Sequence, residues 1–253
     1  MKTAIIGSGN VATHLAKALH AAQFPIAQVW SANQQNAAIL AKATHSSVMN
    51  QLHLIDPTIE LCIIAVKDDA IATVADQLKG FKGLIVHTAG AVPIDVFAGN
   101  FENYGVLYPL QTFSKHKTVD FKTVPLCIEA NGVASIQLLH AVARQLSGNV
   151  QEIDGTQRKI LHLAAVFACN FPNHLFSLAE EILDEHQLDF NLLRPLILET
   201  ASKVQQALPA DVQTGPAIRN DVQTLAAHQA LLAHQPKLLE IYQTLSESIK
   251  KTR

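Results

Sequence analysis

Along the first part of the chain, short unbroken apolar runs alternate with stretches whose apolar positions recur at three- and four-residue intervals. The runs predict strands over residues 3–6, 26–30, 61–66 and 84–87, and the amphipathic stretches predict helices over 11–21, 35–43 and 69–78. Strands separated by single helices imply a parallel, doubly wound sheet, an α/β fold of Rossmann-like type. Further strand-like runs cover 105–108, 125–129 and 150–153, with a helix over 133–146 before the last. After Gly155 the pattern changes, and residues 156–185, 190–207, 221–232 and 236–250 all carry helical spacing. The expected organisation is a Rossmann-like dinucleotide-binding domain over 1–153 and an all-helical C-terminal domain over 154–253.

Composition narrows the partners. The 253 residues are 49% hydrophobic with a net charge of -2 and interspersed signs, which gives no electrostatic footprint for nucleic acid or an anionic membrane. No apolar run is long enough to span a bilayer, and Gly7, Gly9 and Asn10 interrupt the first apolar run before a signal-peptide core is complete. Cys62, Cys127 and Cys169 lie in apolar stretches without CxxC spacing and read as buried hydrophobes, so the expected setting is a reducing cytoplasm. The histidines show no metal-ligand spacing, and no metal is expected.

The most specific local signal is Gly7-Ser8-Gly9-Asn10-Val11-Ala12, placed between a predicted strand and a predicted helix. It supplies a tight turn, a backbone without side chains, and a small residue where helix and sheet pack closely. A pyrophosphate can then sit on amides at the positive end of the helix. At the end of the second strand, where a ribose is expected, an NAD site would place an acid; Ser31 and Asn33 are uncharged donors compatible with a phosphate, so NADP is the expected cofactor, with NAD still open. The alternative is that both residues merely end a strand. The backbone through Val66 and Lys67 should border the cofactor, while Asp68 and Asp69 read as helix N-caps. Ser8 stands in GSGNV rather than GxSxG, so a serine-hydrolase elbow is not supported.

Candidate chemistry lies beyond the glycine loop. His87 ends a predicted strand where nicotinamide should lie and could serve as a proton donor, or as a structural histidine hydrogen-bonded at a strand end. Asn170 and His174 are four apart on the long helix and could line the site, with Pro172 expected to kink the helix between them. Arg219 could clamp a substrate carboxylate, or pair with Asp221.

Taken in order, GSGNVA, CIIAVKDDAI, VHTAGA, YPLQTF, AAVFACNF and TGPAIRND resemble a family of prokaryotic NADP oxidoreductases that join a Rossmann-like domain to a helical domain of unknown function. More distantly the chain is similar to pyrroline-5-carboxylate reductase, prephenate dehydrogenase and the β-hydroxyacid dehydrogenases. The resemblance implies hydride transfer between a nicotinamide and a small-molecule substrate, a site closed by helices of the second domain, and commonly a homodimer. Two departures stand out. Where the β-hydroxyacid dehydrogenases carry Lys-x-x-x-Asn, alignment on Asn170 places Val166 at the lysine, and Tyr108-Pro109 replaces a frequent His-Pro. Two function classes are therefore expected to compete: an NADP-dependent oxidoreductase acting on a small carbonyl, imine or acid, and a non-catalytic nucleotide-binding or sensing protein that lacks the acid-base group.

Overall fold

Thr3–Ile6 (β1), Leu61–Ile64 (β4) and Leu84–His87 (β5) are buried along their whole length, the pattern of strands covered on both faces. They form the middle of a sheet completed by Ile26–Trp30 (β2), Ser47–Val48 (β3), Tyr104–Pro109 (β6), Leu126–Ala130 (β7) and Val150–Glu152 (β8). The computed structural model describes residues 1–115 and 117–251. Among them the strand order is β3-β2-β1-β4-β5-β6-β7-β8. The order reverses beside β1, and in open α/β sheets the crevice outside the strand ends at such a point receives ligands.

Side chains alternate between the two faces of the sheet. Ile5, Val29, Ile63, Val86, Leu107 and Ile128 share one core with helices Asn10–Ala21 (α1), Gln34–Ala43 (α2) and Val133–Leu146 (α4). Ala4, Ile6, Cys62, Ile64 and Ile85 face the other core, which holds Ile71 and Val74 of Ile71–Asp76 (α3) together with Phe97. Each fully buried aliphatic side chain contributes about 1.5–3 kcal/mol, so these two layers hold the strand ends in fixed register.

The structure corrects several sequence expectations. β7 pairs antiparallel to β6, so the sheet is mostly and not wholly parallel. The reason lies in the connection: between Pro109 and Leu126 the described chain forms no α-helix, only a 3-10 turn at Phe121–Thr123, and without a crossover a strand returns antiparallel. β8 then pairs parallel to β7. β3 was not anticipated, because two residues with little burial carry no hydrophobic signal. The helix expected over 69–78 is a 3-10 turn at Asp68–Ala70 leading into the shorter α3. Lys67 is the N-cap of that turn and neither aspartate caps α3, whose N-cap, Ala70, makes no side-chain bond.

The helix expected over 156–185 consists of Gly155–Ala165 (α5), a π-turn at Val166–Asn170, and Phe171–Glu185 (α6). A reciprocal capping box between Asp154 and Gln157 starts α5. The π-turn accounts for the break ahead of Pro172, which falls in the first turn of α6, where a missing N–H costs least. The chain divides into two compact units, residues 1–170 and 171–253. In the second, α6 is followed by Arg194–Lys203 (α7), Val222–Leu231 (α8) and Pro236–Lys250 (α9). Among the described residues no helix is long and apolar enough to cross a membrane.

Candidate active site

The carboxyl ends of β1, β2 and β4 open onto a cleft of about 620 Å³ lined by Gly7, Ser8, Gly9, Asn10, Val11, Ser31, Asn33, Val66 and Lys67, with Thr88 and Ala89 at the end of β5. Gly7 has φ +128°, and a Cβ there would lie 2.1 Å from the Ala65 carbonyl oxygen. Only glycine fits, because the chain must turn left-handed against a neighbouring strand. Ala12, fully buried, packs under this turn: its Cβ is 3.5 Å from the position a Gly7 Cβ would take. Gly9 is the N-cap of α1 and offers no side-chain bond to the first helical amides, and a Cβ on it would meet nothing within 4 Å. The first amides of a helix have no partners within it. The loop therefore has the donors, the dipole and the open space that a diphosphate requires.

The hydroxyls of Ser8 and Ser31 hydrogen-bond each other at 2.7 Å, and Ser31 Oγ also accepts from the Asn33 amide at 3.3 Å. Asn33 Oδ1 accepts from the Asn36 amide at 3.0 Å and so caps α2. Asn33 both caps a helix and lines the cleft. Sequence reasoning did not assign Trp30, Asn36 or Lys115 to this wall, and all three line it. Lys115 arrives on the β6–β7 connection, which is held to α1 by Asn10 Nδ2 donating to the Phe113 carbonyl (2.8 Å) and by the His14 ring beside the Ser114 carbonyl (2.9 Å).

His87 is placed differently from its expected role as proton donor. It has no exposed surface, its Nδ1 accepts from the Ala89 amide at 3.2 Å, its ring packs 5.6 Å from that of Phe97, and its Nε2 has no hydrogen-bond partner. Burial, and next the charge of Arg158, push its pKa down to about 4, against a smaller opposing effect of the Pro93 carbonyl. Buried, hydrogen-bonded by the Ala89 amide and neutral at ordinary pH, His87 has the surroundings of the strand-end alternative. Because the folded protein binds fewer protons here than the unfolded chain, stability falls as pH drops from about 6.5 towards 4. His87→Gln is expected to flatten this part of the stability profile, removing about 3 kcal/mol of pH dependence in urea titrations run across that window. An unchanged profile would show that His87 titrates normally.

A second polar group lies next to this strand end. Arg158 of α5, 1% exposed, pairs with Glu129 of β7 and donates to the Val92 carbonyl at 2.7 Å. One turn further along α5, His162 Nδ1 is 3.1 Å from the Tyr108 hydroxyl. Neither Arg158 nor His162 was singled out in the sequence.

The remaining candidates are exposed. Asn170 closes the first unit, and His174 in the second lines a cavity of about 550 Å³ with Leu178, Glu181 and Gln235. Arg219 is exposed, close enough to Asp221 to help hold that carboxylate below its usual range, though the Thr224 amide and hydroxyl do more. Among the described residues no group of three or more His, Cys, Asp or Glu could hold a metal ion.

The profile described as NADP oxidoreductase, coenzyme F420-dependent, matches residues 2–91, and a domain of unknown function, DUF2520, matches 124–249. A crystal structure from Bacteroides fragilis named "putative NADP oxidoreductase BF3122" is 43% identical, covers 99% of this chain and 98% of its own, and superposes with a TM-score of 0.93. A reductive aminase from Aspergillus terreus, in complex with NADPH and ethyl levulinate, shares the fold at 14% identity (TM-score 0.72; 99% of this chain, 92% of that one). So does 1-pyrroline-5-carboxylate reductase from Streptococcus pyogenes, at 13% identity (TM-score 0.64; 99% and 98%). No curated protein matches the chain.

Proposed function

This chain belongs to the family of NADP oxidoreductases represented by the Bacteroides fragilis protein, and on that premise we propose that its cleft seats NADP(H) for hydride exchange with a small carbonyl, imine or acid. NADP is the cofactor, and the protein is an oxidoreductase. The observation that supports this seating best is the loop itself: a left-handed glycine against Ala65, bare amides at the start of α1, and open space above Gly9. Bound there, the nicotinamide supplies or accepts hydride. Ser8, Asn10 and Val11 present backbone to the diphosphate above the buried Ala12; Ser31 and Asn33 present neutral donors to the 2′-phosphate; Val66 and Lys67 border the cofactor on the β4 side. The Arg219 guanidinium is suited to a substrate carboxylate.

Asn33→Asp tests the phosphate assignment without disturbing the fold, because aspartate caps a helix as well as asparagine does. NADPH affinity is expected to fall about tenfold, or roughly 1.4 kcal/mol, with NADH binding no weaker than in the parent, since an acid here suits a free ribose hydroxyl. Equal NADPH affinity in the variant would overturn the placement of the phosphate, and failure of the parent to bind either nucleotide at millimolar concentration would end the reading.

The helical unit suggests a second copy as partner. Leu192, Leu196, Leu198 and Leu208 are 61–71% exposed and are the apolar side chains a second copy would cover. A homodimer that covers them would sediment at twice 27.4 kDa, and a monomer would refute it. A cytoplasmic setting accords with Cys62, Cys127 and Cys169 being outside any disulfide.

A further inference from the structure

An oxidoreductase that reduces C=O or C=N needs a proton at the heteroatom as well as a hydride at carbon. His87 is sealed, and Val166 holds no proton. The described structure brings another ionisable pair to the same sheet edge. Tyr108, one residue before the end of β6, is 8% exposed, and its hydroxyl lies 3.1 Å from His162 Nδ1, with the rings edge to face at 6.1 Å. His162 rests on bare backbone: a Cβ on Gly90 would lie 2.7 Å from that same nitrogen, so the imidazole can occupy this place only over a glycine. Gly90 directly follows Thr88 and Ala89, which line the nucleotide cleft. With the diphosphate on α1, the pair therefore stands beyond the β5 end of the cleft, on the side where the nicotinamide has to extend.

The surroundings keep the phenol protonated. The titratable and charged groups that act on Tyr108 besides His162 are Cys127, directly across the ladder on β7, Asp68 and Arg158. Burial, then Cys127 and Asp68, raise the phenol above its ordinary range, and Arg158 acts in the opposite sense. The hydroxyl thus keeps its proton at neutral pH, while the half-buried imidazole connects it towards solvent.

We infer that Tyr108 is the catalytic acid of this site and His162 the group that resupplies it. This rests on the NADP(H) reading of the cleft. In the reducing direction the substrate carbon gains hydride from the dihydronicotinamide, which is thereby oxidised, and the substrate oxygen or nitrogen takes the Tyr108 proton. The phenolate recovers a proton from protonated His162 through Nδ1, and water reprotonates the imidazole. One proton from solvent is consumed per turnover. In the reverse direction the pair removes that proton.

The test uses the full chain with NADPH and two probes, 1-pyrroline-5-carboxylate and pyruvate. Tyr108→Phe is expected to lower kcat at least about 100-fold on the probe that turns over, with the NADPH dissociation constant unchanged within twofold. His162→Gln, which keeps a hydrogen bond but cannot shuttle a proton, is expected to alter the pH profile of kcat. A readout independent of turnover is the ultraviolet titration of tyrosinate, parent minus Tyr108→Phe, which isolates Tyr108; its midpoint should move in His162→Gln. A purely structural pair would change stability, and this midpoint with it, but leave the pH profile of kcat in place. Turnover within tenfold of the parent in Tyr108→Phe overturns the inference. NADPH binding without turnover of either probe by the parent overturns it for these substrates, whereas absence of NADPH binding overturns the cleft reading instead.

Discussion

Gly7→Ala is expected to destabilise the protein by about 3 kcal/mol or more and to abolish measurable NADPH binding. Two costs add. The residue is held at φ +128°, where a side chain is strained, and the new methyl would lie 2.1 Å from the Ala65 carbonyl oxygen. Neither partner can retreat, because the Gly7 amide donates to the Trp30 carbonyl at 2.7 Å and the Ala65 amide to the Ile6 carbonyl at 2.7 Å. The loop is fastened to both neighbouring strands. Gly9→Ala is the control that separates folding from binding. Its Cβ would enter empty space, so urea stability should stay within about 0.5 kcal/mol, while the methyl takes up room that the diphosphate needs and affinity falls at least about tenfold. If Gly9→Ala binds NADPH like the parent, the phosphates do not lie on this loop.

The second large effect concerns a buried charge. Glu129→Leu should cost about 3–5 kcal/mol, because it leaves the Arg158 guanidinium, 1% exposed, without its carboxylate. Arg158→Met should cost less: Glu129 is 19% exposed and water can reach it, and its Oε1 keeps the Gly155 amide at 3.2 Å. The double variant is expected to be more stable than Glu129→Leu alone, since two apolar groups replace two desolvated ions. Urea unfolding of the four proteins closes the cycle. A double variant less stable than Glu129→Leu would show that the stranded guanidinium is not what that single substitution costs. The pair also matters for chemistry, because Arg158 ties α5 to the Val92 carbonyl and to β7 one turn before His162. Without that tether the imidazole loses its seat over Gly90.

Much of the nucleotide half was legible because its causes are local. β1, β2 and β5 carry short, mainly apolar runs, and Gly7 to Ala12 is a short motif in which Gly7, Gly9 and Ala12 each have a stereochemical reason. The direction of β7 could also have been found, since the segment before it contains no helical periodicity. Other features depend on partners distant in sequence. Tyr108 and His162 are 54 residues apart, and Arg158 meets Glu129 across 29, with no spacing rule to connect either pair. His87 looked like a site residue because it ends a central strand; its complete burial is a property of the packing of Phe97 and its neighbours. Asp68 and Asp69 read as caps, yet the chain turns there through a 3-10 step whose N-cap is Lys67.

Had all strands run the same way, the last would have finished at the rim where the nucleotide lies, and the outgoing helix would have travelled away from it. With β7 and β8 reversed, the chain leaves the sheet heading away from that rim, and the Gly155 amide meets Glu129, which lies level with Val106 of β6 and His87 of β5. From there α5 runs back toward the rim, and its third turn arrives beside Tyr108, two residues further along β6 than the level at which the helix began. The polarity of one strand thus decides whether a helix made after the sheet is complete can still contribute a side chain to the reacting rim.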